Sequence, residues 1–374
     1  MKWSFNPIPG TLGALLSATI YAGGAGVVHA QSMTLYGVID TGVEYVNNIG
    51  ADNRSVVRVP SITGSTPSRW GMRGVEDLGG GMKAIFTLES GFAMSSGSLN
   101  QGGRLFGRQA WVGVNSPQWG QLTFGRQMTM LLWATMDTDV LGPNIYGNGS
   151  LDNYIPNARA DNAVAYKFES GGWTVGATYS FGRDTVNAGP SPAGMNCPGQ
   201  IPGNSRACRE WSALLMYKTS QYGANIAYDS LRGGAGAFGG LNSPAQTDDR
   251  MLVGAFVAIP NGRIAASWLR RTNDANPKPV SDLFSLGVSY DASPAINLAA
   301  QVAWLGYHGS PNQAWLYAVR GMYSLSKRTS VYVTSGLIDN RAGLALAVSA
   351  DAVGSAPAAG KSQFGTMIGM RHAF

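Results

Sequence analysis

Apolar and polar residues alternate at every second position in stretch after stretch of this chain, and a period of two is the mark of a β-strand with two unlike faces. In Leu35 to Tyr45, the residues Leu35, Ile39, Val43 and Tyr45 share one face, while Asp40 and Glu44 share the other with Tyr36 and Val38. Trp70 and Met72 oppose Arg69 and Arg73, and Ala84, Phe86 and Leu88 oppose Lys83, Thr87 and Glu89. The rhythm returns in Val164, Tyr166 and Phe168, in Trp173, Val175, Ala177 and Tyr179, in Trp211, Ala213, Leu215 and Tyr217, in Ile226 and Tyr228, and in Ile296 to Trp304. At the C-terminus Phe364, Ile368, Met370 and Phe374 oppose Gln363, Gly365, Gly369 and Arg371. With the segments that begin near Phe106, Gly120, Arg250, Arg263, Asp282, Gln313 and Ser330, the count reaches sixteen strands. An even number brings both ends of such a wall to one side of a membrane.

The totals say why the wall belongs in a membrane. Of 374 residues only 13% are charged, about half the usual quarter, and 51 are glycine, near twice the average share. Mean hydropathy is close to zero, and past the N-terminus no apolar run reaches the roughly twenty residues that a helical span needs. Alternating strands average out in this way, so the expected fold is all-β: a 16-stranded antiparallel transmembrane β-barrel of a single domain. Lys2, the apolar stretch Leu12 to Val28 and the small-x-small triplet Val28, His29, Ala30 read as a signal peptide over residues 1–30, leaving residues 31–374 as the barrel. Removing Lys2 leaves 26 basic against 21 acidic residues, a formal +5 too dilute for a nucleic-acid footprint.

Connections alternate in length. Short turns fall near Glu76, Ser116, Ser170 to Gly172, Thr219, Pro260 to Gly262, Ser293 and Ser326, with longer Gly-, Asn- and Pro-rich loops between them. Long loops outside and short turns on the periplasmic side is the barrel arrangement. The third long loop, Met128 to Ala158, is the outlier, since some thirty residues without strand pattern are uncommon in a compact domain and usually functional. It carries Asp137, Asp139 and Asp152 among apolar residues, broken by Gly142, Pro143, Gly147 and Gly149. The expectation is that it folds into the barrel; the alternative is a surface loop like the rest. Aromatics such as Trp173, Tyr217, Tyr222 and Tyr290 near the short turns, and Tyr45, Phe181, Trp268 and Trp315 near the long loops, suggest two interfacial girdles. Cys197 and Cys208 lie in one loop of an exported chain, so a disulfide is expected, worth roughly 3 kcal/mol in the chain-entropy picture; two free thiols are the alternative.

Ser68 to Phe92 (SRWGMRGVEDLGGGMKAIFTLESGF), Phe106 to Val114 (FGRQAWVGV), Gln121 to Gln127 (QLTFGRQ), the start MTLYGVIDTGVEYV and the ending GMRHAF resemble the Gram-negative general diffusion porins. The resemblance covers essentially the whole mature chain and is greatest to the trimeric, often anion-selective branch. The PEFGG-type signature of the enteric branch is missing between Met128 and Ala158. The resemblance implies a homotrimer in the outer membrane, an inward-folded third loop that makes the constriction, a second loop (Ala93 to Leu105) latching onto the neighbouring subunit, and a terminal Phe374 read by the outer-membrane assembly machinery.

Catalysis has little to work with. Once the leader is removed only His308 and His372 remain, placed by the meander near opposite ends of a wall whose apolar band is about 25 Å tall. Gly79 to Gly81 sits between two strands and reads as a hairpin turn, not a phosphate cradle, and no cofactor or metal site is expected. The residues expected to bear function are basic side chains, mostly opposite the apolar faces: Arg69, Arg73, Lys83, Arg108 and Arg159, with Lys167 further along, although Arg108 shares its phase with Val112 and Val114. Strands about 4.8 Å apart stack such groups into a positive ladder, and a loop carrying Asp137 and Asp139 would face it across the pore, setting up a transverse field that sorts solutes by charge. The competing possibility is that Asp40, Glu44 and Glu89 neutralise the ladder. Arg126 shares a phase with Leu122 and Phe124, so it is expected near an interface, past a bulge, or at a subunit contact. The expected function is passive diffusion of small hydrophilic solutes and ions with a preference for anions; the alternatives are a solute-specific uptake channel, with Trp133 and Tyr146 as candidates for an aromatic track, and a barrel that merely displays loops for adhesion or structure.

Overall fold

The computed structural model describes residues 32–183, 196–350, 352 and 354–374; the leader expected over 1–30 lies outside them. Among the described residues the wall begins with β1 (Ser32–Ile49), followed by a short strand β2 (Arg54–Arg58) and then β3 (Arg69–Gly79), β4 (Met82–Gly91), β5 (Gln109–Ser116) and β6 (Gly120–Met128). After the third loop come β7 (Arg159–Ser170), β8 (Trp173–Ser180), β9 (Glu210–Lys218), β10 (Tyr222–Arg232), β11 (Thr247–Ile259) and β12 (Gly262–Asn273). The last five are β13 (Val280–Ser293), β14 (Ile296–Tyr307), β15 (Gln313–Ser324), β16 (Thr329–Arg341) and β17 (Ser362–Ala373). Each wall strand pairs antiparallel with its neighbours, and β1 meets β17 from Val38↔Ala373 to Val46↔Gly365. That last pairing closes a 16-stranded barrel. β2 is extra: it caps the upper part of β1 inside the first long loop, above the segment Ser32 to Val38 that pairs with β3.

Burial along the strands is inverted relative to a soluble protein. Ile368 is 66% and Leu35 60% exposed, whereas Asp40, Glu44, Asp229 and Arg250 are fully buried. Apolar side chains stay outside only where the solvent is hydrocarbon, so the outer face is the lipid face. In β8 the alternation is unbroken, with Trp173, Val175 and Tyr179 outward and Thr174, Thr178 and Ser180 inward. The turn between β7 and β8 consists of Gly171 and Gly172, at φ +57° and +86°. Positive φ at both central residues matches the right-handed twist of the flanking strands, and glycine adopts it without strain.

The third loop carries more regular structure than its sequence suggests: a short helix at Met130–Thr135 and single 3₁₀ turns at Asn148–Ser150 and Ile155–Asn157. It runs along the inner face of the wall. Inward positions occupied by glycine receive it, because a Cβ at Gly176, Gly254, Gly287, Gly336 or Gly365 would overlap Met130, Thr138, Val140 or Tyr146 of the loop. Leu131, Leu141, Ile145 and Tyr154 of the loop are buried in the same cluster as Leu214, Leu252, Leu283 and Leu316 of the wall.

Candidate pore constriction

Polar anchors hold the loop along its whole course. Thr129 Oγ1 donates to Asp229 at 2.8 Å, Ser212 Oγ accepts from the Met130 amide at 2.9 Å, and Asn225 Nδ2 donates to the Ala134 carbonyl at 3.0 Å. Tyr154 Oη bridges Glu210 and Asp229 at 3.0 and 2.9 Å, and Arg250 Nε reaches Asp152 at 3.0 Å. Further on, Gln301 donates to Asn148 at 2.9 Å and Tyr146 to Glu44 at 3.1 Å. The inward carboxylates of β1 therefore serve as fasteners. Glu44 also pairs with Arg58 at 2.7 Å, and Asp40 accepts from Tyr332 Oη at 2.6 Å and from Ser65 of the first loop. Their side-chain partners are these tethers, not Arg69, Arg108 or Arg159, although Asp40 lies within electrostatic reach of Arg320.

Glu89, the third such carboxylate, does meet the arginines. It lies near the end of β4 beside Arg108, just ahead of β5, and across from Gly71, two residues along β3 from Arg69. Arg108 Nε donates to Glu89 at 2.6 Å, Arg69 Nε lies 3.6 Å from it, and Tyr36 Oη donates to it at 2.9 Å. Arg69 also donates to the Pro67 carbonyl at 2.9 Å. Arg159, first residue of β7 and buried, donates to the Pro156 carbonyl at 3.2 Å and lies within electrostatic reach of Arg108, Arg126 and Arg69. These three arginines and Glu89 line a cavity of about 280 Å³, closed on the other side by the third loop, including Leu132, Met136 and Asp139. Above it a polar vestibule of about 260 Å³ shares Arg108, Pro67 and Pro143 and adds Thr63, Asn100 and Asn144 from the first three loops.

The remaining expected residues fall elsewhere. Arg73 points inward four residues below Arg69, about 14 Å along the strand, with its guanidinium over the Tyr36 ring at 5.6 Å from the centroid. Lys83 is exposed beside the short turn, opposite Asp77 and Asn115, about 20 Å from Glu89 along β4. Asp137 faces away from the basic wall and pairs with Lys218 of β9 at 3.0 Å, near the short-turn end. Asp139, two residues on, does enter the cavity; it accepts from the Gly142 amide at 3.1 Å, and burial pushes its carboxyl up to about 6. Arg126 sits past an irregularity: the β6–β7 register shifts between Gly125 and Gln127, and the guanidinium turns to the Gly107 carbonyl (2.6 Å) and Asp161 (2.8 Å). Lys167 lies over the Trp133 ring at 4.0 Å, while Tyr146 is fully buried.

Two basic residues were missed. Arg320 of β15 donates to the Leu141 carbonyl at 3.0 Å and is close enough to Asp139 to stabilise its charge. Arg371 of β17, in register with Asp40, lies within electrostatic reach of Arg69 and Arg320. The signal for Arg371 was its phase, opposite Phe364, Ile368 and Met370. Elsewhere, Cys197 and Cys208 are joined by a disulfide with Cα atoms 5.7 Å apart, and Phe374 docks against Gly37 through two 3.0 Å backbone hydrogen bonds.

A barrel with an internally tethered third loop and a charged passage beside it is an architecture shared with known proteins. The family model of Gram-negative porins matches residues 14–343. The chain belongs to that porin family. It is 27% identical over 379 residues to outer membrane porin protein 32 of Delftia acidovorans, covering 96% of this chain and 99% of the relative. An outer membrane porin protein of Bordetella pertussis is 40% identical over 190 residues, covering 46% of this chain and 49% of that relative. The anion-selective porin from Comamonas acidovorans superposes with a TM-score of 0.77 at 23% identity, over 92% of this chain and all of that one. The trimer form of OmpT from Vibrio cholerae superposes with a TM-score of 0.65 at 16% identity, over 92% of this chain and all of that one. The porin described here is thus an outer-membrane β-barrel that forms a passive diffusion channel, and family and fold point to a channel rather than an enzyme.

Proposed function

We propose that this porin is an anion-preferring diffusion channel without catalytic activity, in which Arg69, Arg108 and Arg159 form the selective wall and Asp139 its acidic counterpart. The observation that carries the reading is the gathering of three guanidiniums around one carboxylate at the side of a cavity of about 280 Å³. Arg320 and Arg371 add positive charge on the adjoining wall. The name of the Comamonas acidovorans neighbour agrees with this sign. Arg73 and Lys83 belong to the periplasmic mouth, where they raise the local anion concentration without touching the narrowest section. Burial of Tyr146 argues against an aromatic track built on it and Trp133. Reversal potentials in a potassium chloride gradient test the reading: an anion-selective sign is expected, and a cation-selective sign overturns it.

The working unit is a homotrimer. The outer faces of β16, β17 and β1 support this assignment, because Ser335 Oγ and Thr366 Oγ1 bond each other there at 2.8 Å on the side turned to the membrane. Hydroxyls on that face are better accommodated against protein than against hydrocarbon. The second loop, Ala93 to Leu105, presents exposed Met94 and Leu105 to a neighbour. Residues 1–30 act as a cleaved leader, and Phe374 is the assembly signal read before the wall closes. Heat-sensitive trimer migration in detergent gels is expected, and a species that migrates as a monomer without heating rules the trimer out.

A further inference from the structure

The constriction has two unlike sides. One is the guanidinium wall; the other, supplied by the third loop and its flanks, is apolar, with Met128, Leu132, Met136 and Ile155 on the same cavity. Met136 is 45% exposed, so its thioether is presented to the passage and not sunk in the core. Pro143 and Pro156 extend the apolar side. The acidic groups that face this space are engaged: Glu89 by Arg69, Arg108 and Tyr36, and Asp139 by the Gly142 amide. A hydrated chloride or a polyhydroxylated solute gains nothing from thioethers and isobutyl groups, and it loses water partners on that side. A solute with a carboxylate at one end and a hydrocarbon body at the other matches both sides at once. The size agrees, since pockets for drug-sized ligands run from about 300 to 1,000 Å³ and are mostly apolar with a few placed polar groups; this one, at about 280 Å³, suits something smaller.

We propose that the constriction is a binding subsite for small organic carboxylates with an apolar body, alkanoates and simple arylcarboxylates, whose head lies on Arg69, Arg108 and Arg159 and whose body lies on Met136 and Leu132. The inference rests on the anion-preferring reading. It goes beyond it by ranking anions of equal charge by their hydrocarbon content.

The test is current block in a planar bilayer containing the full trimeric channel in potassium chloride, with acetate, butyrate, hexanoate and benzoate compared with glycolate, glycerate and gluconate. In the first series the concentration for half block should fall by up to about fourfold per added methylene, the factor that corresponds to burying one CH₂, until the body outgrows the cavity. The hydroxylated series should stay flat. Met136→Gln should flatten the slope of the alkanoate series, with native folding checked by heat-sensitive gel migration; should that variant not assemble, the two series on the parent channel decide alone. A chain-length slope of zero, or equal block by gluconate and hexanoate, overturns the subsite. A cation-selective reversal potential in the same membranes would instead overturn the underlying anion-preferring reading, so the two failures are told apart.

Discussion

Replacing Arg108 by Gln is the sharpest probe of the selective wall. Three guanidiniums and two carboxylates line the cavity, so its formal charge is about one positive unit with Asp139 ionised. Arg108→Gln takes this to zero. It also takes from Glu89 its 2.6 Å partner and leaves Arg69 at 3.6 Å and the more distant Arg159 to balance it, so negative potential appears where it was cancelled. One unit charge acts on an ion about 4 Å away with about 1 kcal/mol in bulk water, and with more where the medium is less polarisable. A change of that size disfavours the anion and favours the cation by roughly fivefold each, so the anion-to-cation permeability ratio shifts by up to roughly thirtyfold. Glu89→Gln has the opposite effect on the sum, raising it to two positive units, and should increase anion preference by a similar factor. It also frees Arg69 and Arg108 from the carboxylate that holds them side by side, so their repulsion should broaden the distribution of single-channel currents. Reversal potentials at 0.1 M and 1 M potassium chloride measure both variants. The shifts should shrink at high salt, because the screening length falls from about 10 Å to about 3 Å. Equal reversal potentials in the parent and both variants, or a shift of the same sign in both, would refute the charge argument.

Three further outcomes are expected. The Asp139 carboxyl, raised to about 6 by burial, is ionised above that pH and neutral below it, so anion preference should rise as pH falls from 7 to 5, and Asp139→Asn should abolish the change. Arg250 is fully buried between Asp152 of the third loop and Asp248; Arg250→Ala takes the guanidinium from buried Asp152, while Asp248 keeps Arg271, a loss of order 3–5 kcal/mol in comparable pairs, and should release the loop, seen as noisier and larger single-channel currents. Thiol labelling of the unfolded, unreduced chain should modify neither Cys197 nor Cys208, with two adducts appearing after reduction.

Loop tethering and height along the strand separate charges that share one phase in the sequence. Phase along a strand assigns a face, and Arg69, Arg73 and Glu89 do point inward as alternation requires. It says nothing of height. Lys83 shares its face with Glu89 yet stands at the rim, because six residues of strand separate them. Phase also fails near a bulge: β7 carries an extra residue opposite Gly125 to Gln127, Gly125 itself has φ +128°, and the Arg126 guanidinium bonds the Gly107 carbonyl and Asp161, although Leu122 and Phe124 share its phase. In the third loop there is no period to follow, and Asp137 and Asp139 part company within two residues, one to Lys218 and one to the cavity. Asp40 and Glu44 were recognised as inward, but their partners come from residues 65, 146, 332 and 349.

What the amino-acid order settled by itself is therefore local and periodic: sixteen alternating strands, the side of most of them that meets lipid, short turns at one end and long loops at the other. These follow from pleat geometry and from the cost of an unpaired backbone in hydrocarbon, which act residue by residue. Only the closed barrel decided which side chains share a cavity. That depends on the stagger between β1 and β17, on the register shift between β6 and β7, and on glycines of five separate strands that let the third loop lie against the wall, contacts between residues up to three hundred positions apart that no window of sequence contains.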